Sequence, residues 1–181
     1  MKYERRVTLA DGAVLELRSL RIDDAAQALA VFRQMAGETQ YLMRYPDEVT
    51  MSVQQEAELI RRYECAPDGL MLGAFVHGKL ACVANFTRVG STDRTRHRAS
   101  VGIAVLKAYW HRGIASAVMQ ALIDTAKRTE LEQLELDVMH DNERAKALYE
   151  RYGFEEYGRH VRAIKYRDGR YADLILMARR L

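Results

Sequence analysis

Apolar residues follow one another from Ala99 to Leu106 with one glycine, Gly102, among them. This is the pattern of a buried strand carrying a bulge or a close backbone approach at the glycine. After a short loop, Lys107 to Arg112, the period changes: Ile114, Val118, Leu122 and Ala126 recur every fourth residue, with Ala117 and Ala121 beside them. That spacing predicts one apolar face of a helix. Strand, tight turn and helix thus follow in order, with small residues at the turn. A helix start leaves backbone N–H groups without intrahelical partners and carries about half a unit of positive charge. Small residues there let phosphates reach the main chain, which makes an anion site. Close helix–strand packing would also account for Gly113 and Ala115. The stretch has neither the dinucleotide fingerprint Gly-x-Gly-x-x-Gly nor the Gly-Lys-Ser/Thr of a P-loop.

Elsewhere the pattern alternates strands with helices. Val7 to Leu20 reads as a hairpin around Asp11-Gly12, a two-residue turn signal. Asp23 or Asp24 caps a helix whose apolar side holds Ala25, Ala26, Leu29, Phe32 or Ala30, and Met35. A loop, Gly37 to Asp47, precedes a capping-box pair, Ser52 and Gln55, which predicts a second helix over Val53 to Tyr63. Leu70 to Val76 and Lys79 to Val89 are strands joined at His77-Gly78, and a polar loop, Gly90 to Arg98, leads to the Ala99 strand. Gln133 to Met139 alternates, with Leu134, Leu136 and Val138 on one side and Glu135, Asp137 and Met139 on the other. Asp141 or Asn142 caps a short helix carrying Ala145, Leu148, Tyr149 and Tyr152, and Gly153 closes it. Strands over Val161 to Arg167 and Tyr171 to Ala178 flank a third hairpin signal, Asp168-Gly169. The order ββ-α-α-βββ-α-β-α-ββ predicts an α/β (α+β) fold with a mixed sheet centred on the Ala99 strand.

With 181 residues the chain suits one domain, spanning residues 1–181, with a continuous core. A net charge of +3 is too mild to argue for nucleic acid and compatible with an anionic cofactor. Cys65 and Cys82 lack metal-ligand spacing and imply no disulfide framework, and no His/Cys cluster suggests a metal. No apolar run approaches membrane length and no signal peptide opens the chain. The expectation is therefore a cytoplasmic protein without membrane or nucleic-acid partners, for which a homodimer stays open.

Two motifs carry a family resemblance. Ser100 to Val105 followed by Tyr109-Trp110-His111-Arg112-Gly113-Ile114-Ala115 resembles the acyl-CoA motif of the GNAT superfamily of N-acetyltransferases. Asn142-Glu143-Arg144-Ala145-Lys146-Ala147-Leu148-Tyr149, running on to Gly153-Phe154, resembles that family's second motif, Asn-x-x-Ala-x-x-Leu-Tyr-x-x-x-Gly-Phe. The closing Asp168 to Asp173 is similar to the end of a branch holding bacterial amino-acid, spermidine and ribosomal-protein N-terminal acetyltransferases. Two positions depart: where the family's phosphate loop begins with Gln or Arg this chain has Trp110, and where relatives carry an acid two residues before the strand glycine it has Ser100.

The resemblance implies a mostly antiparallel central sheet of about seven strands with a splayed parallel pair and about four helices. It also implies acetyl-CoA as co-substrate and transfer of acetyl to an amine in a ternary complex. On that basis the backbone of Ile103, Ala104 and Val105 borders the pantetheine arm, the amides of His111, Arg112, Gly113, Ile114, Ala115 and Ser116 hold the pyrophosphate, and Arg112 adds charge. Asn142 matches a pantetheine-contacting position and is equally a plain helix cap. Tyr149 is the candidate acid toward the leaving thiolate, or else part of its helix's apolar face. Asp137 is the candidate base, its burial expected to raise its pKa, or else a structural carboxylate, with water-relayed deprotonation as another route. Glu38, Tyr41 and Tyr45 are candidates for the acceptor pocket, since acidic and aromatic groups suit a cationic amine. Arg94, Arg96, His97 and Arg98 read either as a solvated loop or as a site for a carboxylate or phosphate. The expected reaction is acetylation of a small primary amine, an amino acid or polyamine-like molecule. The alternatives are protein N-terminal acetylation and a non-catalytic acyl-CoA-binding module.

Overall fold

His77 and Gly78 both take positive φ, 49° and 74°, and Val76 pairs directly with Lys79, so the turn joins two strands as its sequence predicts. The computed structural model describes residues 1–181, and in chain order its elements are β1 (Glu4–Thr8), β2 (Val14–Ser19), α1 (Ala25–Glu38), α2 (Val53–Cys65), β3 (Leu70–Val76), β4 (Lys79–Arg88), β5 (Arg98–Val105), α3 (Ile114–Ala126), β6 (Gln133–Met139), α4 (Glu143–Arg151), β7 (Glu155–Lys165) and β8 (Tyr171–Arg180). The sheet has eight strands in the order β1-β2-β3-β4-β5-β6-β8-β7, the number in the element order read from the sequence and one more than the resemblance implies. Only β5 and β6 run parallel.

Two cores flank the sheet. One face carries α3, whose Ile114, Val118, Met119 and Leu122 pack with Leu72, Ala84, Phe86, Leu134 and Leu136. The other carries α1 and α2, which meet Met71, Phe75 and Leu80 through Ala28, Met35 and Ile60. No helix is long and apolar enough to cross a membrane.

Four local readings change. The Asp11-Gly12 signal closes a five-residue connection, Leu9 to Ala13, because Thr8 and Val14 form the last pair. Asp24 does not cap α1; its carboxylate accepts the Arg21 amide at 2.7 Å and two bonds from Arg18, which stabilises a single 3-10 turn ahead of the helix. β7 begins six residues earlier than its alternation suggests, because two register shifts against β8 scramble the pattern of this edge strand. β5 has no bulge: its register with β4 is continuous from Ala99 to Val105. The close approach is real, since a Cβ at Gly102 would stand 2.8 Å from Asn85 Oδ1.

The parallel ladder is short. Arg98, Ala99 and Ser100 pair with Gln133, Leu134 and Glu135, and there the pairing ends. Arg98 and Glu135 rivet this seam through a two-pronged ion pair, Nη2 to Oε2 at 2.7 Å, with Glu135 only 8% exposed. The Arg98 guanidinium foremost, helped by the Gln133 amide, holds the Glu135 carboxyl below the usual range against the opposing effect of burial. A depressed folded-state pKa stabilises above the unfolded value, about 4.3, and that stability is lost as pH falls through the folded value. Glu135→Gln is therefore expected to lose about 1–3 kcal/mol at neutral pH. Its Tm should fall less steeply than wild type below about pH 4.5, as followed by circular dichroism.

Candidate active site

Beyond Ser100 and Glu135 the two strands diverge, and their main-chain groups face a gap. Leu106 N–H bonds Ala81 and Val89 N–H bonds the Arg98 carbonyl, so even-numbered residues of β5 turn their polar groups to β4. By alternation Ile103 and Val105 turn theirs toward β6. Likewise His140 to Asp173 and Leu181 to Glu132 assign the even residues of β6 to β8, leaving the N–H and C=O of Asp137 toward β5. The far half of β5 is accordingly only half-buried, in contrast to the fully buried strand expected.

Cross-strand partners share a face of the sheet. Met71, Asn85 and Gly102 form one row across β3, β4 and β5. Two residues past the last β5–β6 pair, Asp137 continues that row across the gap. The Asn85 amide donates to Tyr63 Oη of α2 at 2.6 Å, which puts the row on the α1/α2 face. Gly102 leaves that face empty at the apex of the fork. A cavity of about 770 Å³ passes through the gap, walled on one side by α1, α2 and the loop between them and on the other by α3 and α4.

At the far end of β5 the chain enters α3 through a loop with two left-handed residues, His111 (φ 61°) and Gly113 (φ 82°). The first-turn amides of Ile114, Ala115 and Ser116 precede the helical hydrogen-bond ladder. Trp110 answers the departure in the motif: its indole N–H donates to the Val105 carbonyl at 2.8 Å, and the Arg144 guanidinium lies 3.5 Å from the ring centroid. The aromatic side chain ties the loop to the strand end and to α4, where a Gln or Arg would only offer polar contacts. The Val105 carbonyl is therefore already engaged, while Ile103 keeps both main-chain groups free toward the gap. Arg112 turns away from the cavity to Asp11, with contacts at 2.7 and 2.6 Å. The Ala13 amide first, and Arg112 second, lower the Asp11 pKa.

α4 closes the gap from the α3 face. Asn142 caps it, accepting the Ala145 amide at 3.3 Å, while its own amide donors stay unused beside the cavity. Tyr149 lies edge-on to Phe154 with ring centroids 6.0 Å apart, and burial first, then the neighbouring Cys82 thiol, pushes its phenol up to about 12. It thus stays protonated at any physiological pH. Tyr152 Oη donates to the Ser116 carbonyl at 2.8 Å, joining α4 to the first turn of α3.

The structure brings together Tyr149, Asp137, Ile103, Ala104, Val105, His111, Gly113, Ile114, Ala115, Ser116, Asn142 and Tyr41 on one cavity wall system. Asp137 is exposed rather than buried, because no helix covers β6 on its side. Arg112, Glu38 and Tyr45 lie outside the lining. Glu38 instead accepts the Lys107 amide at 2.7 Å and Gln34 at 2.8 Å. Tyr45 Oη accepts the Arg167 amide at 3.0 Å, with the Arg167 guanidinium 4.0 Å from its ring centroid. The basic cluster is likewise elsewhere: Arg98 is spent on Glu135, and Arg96 meets Asp93 at 3.5 Å. Sequence reading missed Glu56, Tyr63 and Asn85, which line the α1/α2 side. The readable signal was an acid on the inward stripe of α2, one turn before Leu59 and Ile60 and two before Tyr63.

Comparison with known proteins agrees with this architecture. The family model described as Acetyltransferase (GNAT) family matches residues 38–154. The chain is 37% identical over 92 residues to the L-amino acid N-acetyltransferase AaaT of Escherichia coli, covering 50% of this chain and 56% of that protein. It is 39% identical over 57 residues to N-alpha-acetyltransferase 30 of Schizosaccharomyces pombe, covering 32% of this chain and 38% of the other. The matched stretches thus span only about half or less of these curated relatives. A solved GNAT-family acetyltransferase of Streptococcus pneumoniae superposes with a TM-score of 0.89 at 26% identity, covering 92% of this chain and 99% of that one.

The loop geometry carries its own test. A Cβ at Gly113 would meet nothing within 4 Å, so only the left-handed backbone penalises a side chain there. Gly113→Ala is expected to fold with about 1 kcal/mol less stability, measured by urea denaturation with an unchanged m value.

Proposed function

The chain belongs to the acetyltransferase (GNAT) family, and from that premise we propose that it transfers acetyl from acetyl-CoA to the primary amine of a small molecule, within a single cytoplasmic domain. The observation that carries this reading is the single cavity of about 770 Å³ through the β5–β6 gap, lined by Tyr149 and by residues of α1 and α2. In it, the free groups of Ile103 and the Val105 N–H take the pantetheine arm as a missing strand would. Asn142 adds its unused amide donors. The open amides of His111 to Ser116 take the pyrophosphate at the start of α3. Arg112, engaged with Asp11, supports the loop instead of touching phosphate.

The amine arrives as an ammonium, since a free alkyl amine has a pKa of about 10.4. One proton leaves to Asp137, directly or through water, across the gap from Gly102. The neutral nitrogen attacks the thioester carbonyl, a C–N bond forms, and the C–S bond breaks as the tetrahedral intermediate collapses. The second amine proton ends on sulfur, giving the amide and free CoA. An ordinary thiol titrates near 8.5, well below the Tyr149 phenol at about 12. Tyr149 therefore keeps its proton and can donate a hydrogen bond to the departing sulfur.

A small acceptor is favoured over a protein N-terminus by the loop over the cavity. That loop is pinned across the cleft: Arg167 meets Asp47 at 2.7 Å and Tyr45, Gln40 donates to Asp141 at 3.2 Å, and Tyr41 Oη to the Asp141 carbonyl at 3.5 Å. A peptide would have to displace this clasp. The similarity to N-alpha-acetyltransferase 30 makes short peptides with free N-termini the necessary comparison.

With a panel of small amines and such peptides, free-thiol release is expected to favour the small amines in kcat/KM, whereas a preference for peptides would overturn the reading. Tyr149→Phe should lower kcat by about 10- to 100-fold with little change in the KM for acetyl-CoA, as for a contact made in the transition state. Asp137→Asn should flatten the acidic limb of kcat/KM while leaving CoA affinity unchanged by calorimetry. An unaltered limb would return Asp137 to a structural role.

A further inference from the structure

Glu56 is only 7% exposed, projects from α2 into the cavity, and its carboxylate carries no hydrogen bond and no ion pair. A buried carboxylate is ordinarily paired, because leaving it unpaired is expensive. Each of the structural carboxylates already described has its partner: Asp11 has Arg112, Asp24 has Arg18 and Glu135 has Arg98. Burial alone raises the Glu56 pKa, and no charge of the chain acts on it. The same cavity is lined by Leu29, Phe32 and Met35 of α1, Leu59 of α2 and Met71 of β3, with Arg44, Tyr63 and Asn85 as the polar members on that side. A lone acid on a greasy wall is complementary to a cation attached to a greasy body.

We propose that the Glu56 carboxylate seats the acceptor's ammonium, and that the acceptor is a primary amine with a compact apolar body lying against Leu29, Phe32, Met35 and Met71. The proposal rests on the acetyltransferase reading for what happens next, but not for the binding itself. Glu56 is a recognition group on the α1/α2 face for the incoming ammonium, whose nitrogen leaves it for the gap before it is deprotonated and attacks. Asp137, exposed on β6, remains the group beside the gap. The arrangement also accounts for the unpaired state of Glu56, since a partner supplied by the chain would compete with the amine.

The test uses the full-length protein saturated with CoA, so that no turnover occurs. Hexylamine and 1-hexanol, a cation and its neutral isostere, are titrated by ligand-observed NMR. Wild type is expected to prefer hexylamine by roughly 10- to 100-fold, the range of a charge-assisted contact, and Glu56→Gln to bind the two alike. Glu56→Gln should also melt close to the wild-type temperature, because the carboxylate has no partner in the fold to lose. A preference that persists in Glu56→Gln, or is absent in wild type, overturns the proposal. If Glu56→Gln does not fold, Glu56→Asp decides: a retained preference supports the site and a lost one overturns it. Hexylamine that binds as expected yet is never acetylated when acetyl-CoA replaces CoA counts against the acetyl-transfer reading and leaves the Glu56 site standing.

Discussion

Two neighbouring parallel strands that stop pairing after three residues create the constraint on which everything else turns. Backbone N–H and C=O groups in a protein interior must find partners, and each one left dry costs about 1–3 kcal/mol. Ile103, Val105 and Asp137 present such groups to one another across a space too wide for a ladder. Apolar side chains cannot fill that space without stranding them. The gap therefore leaves main-chain groups free for water or for a ligand that hydrogen-bonds like a strand. Trp110 and α4 close the flanks: the indole takes one carbonyl, and Tyr149 and Asn142 stand along the opposite side.

The same parting separates two chemistries. On the α3 face lie the helix start with its free first-turn amides and the Tyr149 phenol, among residues of the larger core. On the α1/α2 face lie Asn85, Tyr63, Glu56 and the apolar wall, under a loop clasped to the β7–β8 turn. Gly102 sits where the two meet, and a side chain there would run into Asn85. Small residues in this chain are thus placed by a close side chain, at Gly102, and by backbone hand, at Gly113.

Most of the fold was legible because it is written in periods. The strands β3, β4 and β6 and the helices α3 and α4 follow simple apolar spacing with turn residues at their ends, and the two motifs lie on elements whose geometry requires them. What failed did so for physical reasons. Register shifts in β7 erase alternation. Asp24 spends its carboxylate on Arg18 and Arg21, leaving none for α1. Arg112, Glu38 and Tyr45 looked like ligands, and each proved to be bonded to a partner far off in sequence: Asp11, Lys107 and Arg167 respectively. Such pairings leave no local trace. Asp137 illustrates a different limit, since alternation fixes the side a residue faces but not whether anything covers it. Glu56 shows the converse: one acid on an inward helical stripe was visible, but only the cavity gives it meaning.

The three-pair seam also has a mechanical side. β1 to β5 form one plate and β6, β8 and β7 another, and between them run a few ladder bonds, the Arg98–Glu135 rivet and the packing of α3 and α4. A sheet joined along only part of its length can scissor about the joined end, opening and narrowing the slot with little disturbance inside either plate. A molecule laid into the slot and bonded to both edges would act as a splint. The occupied protein should then resist hydrogen exchange as one cooperative body, where the empty one breathes as two.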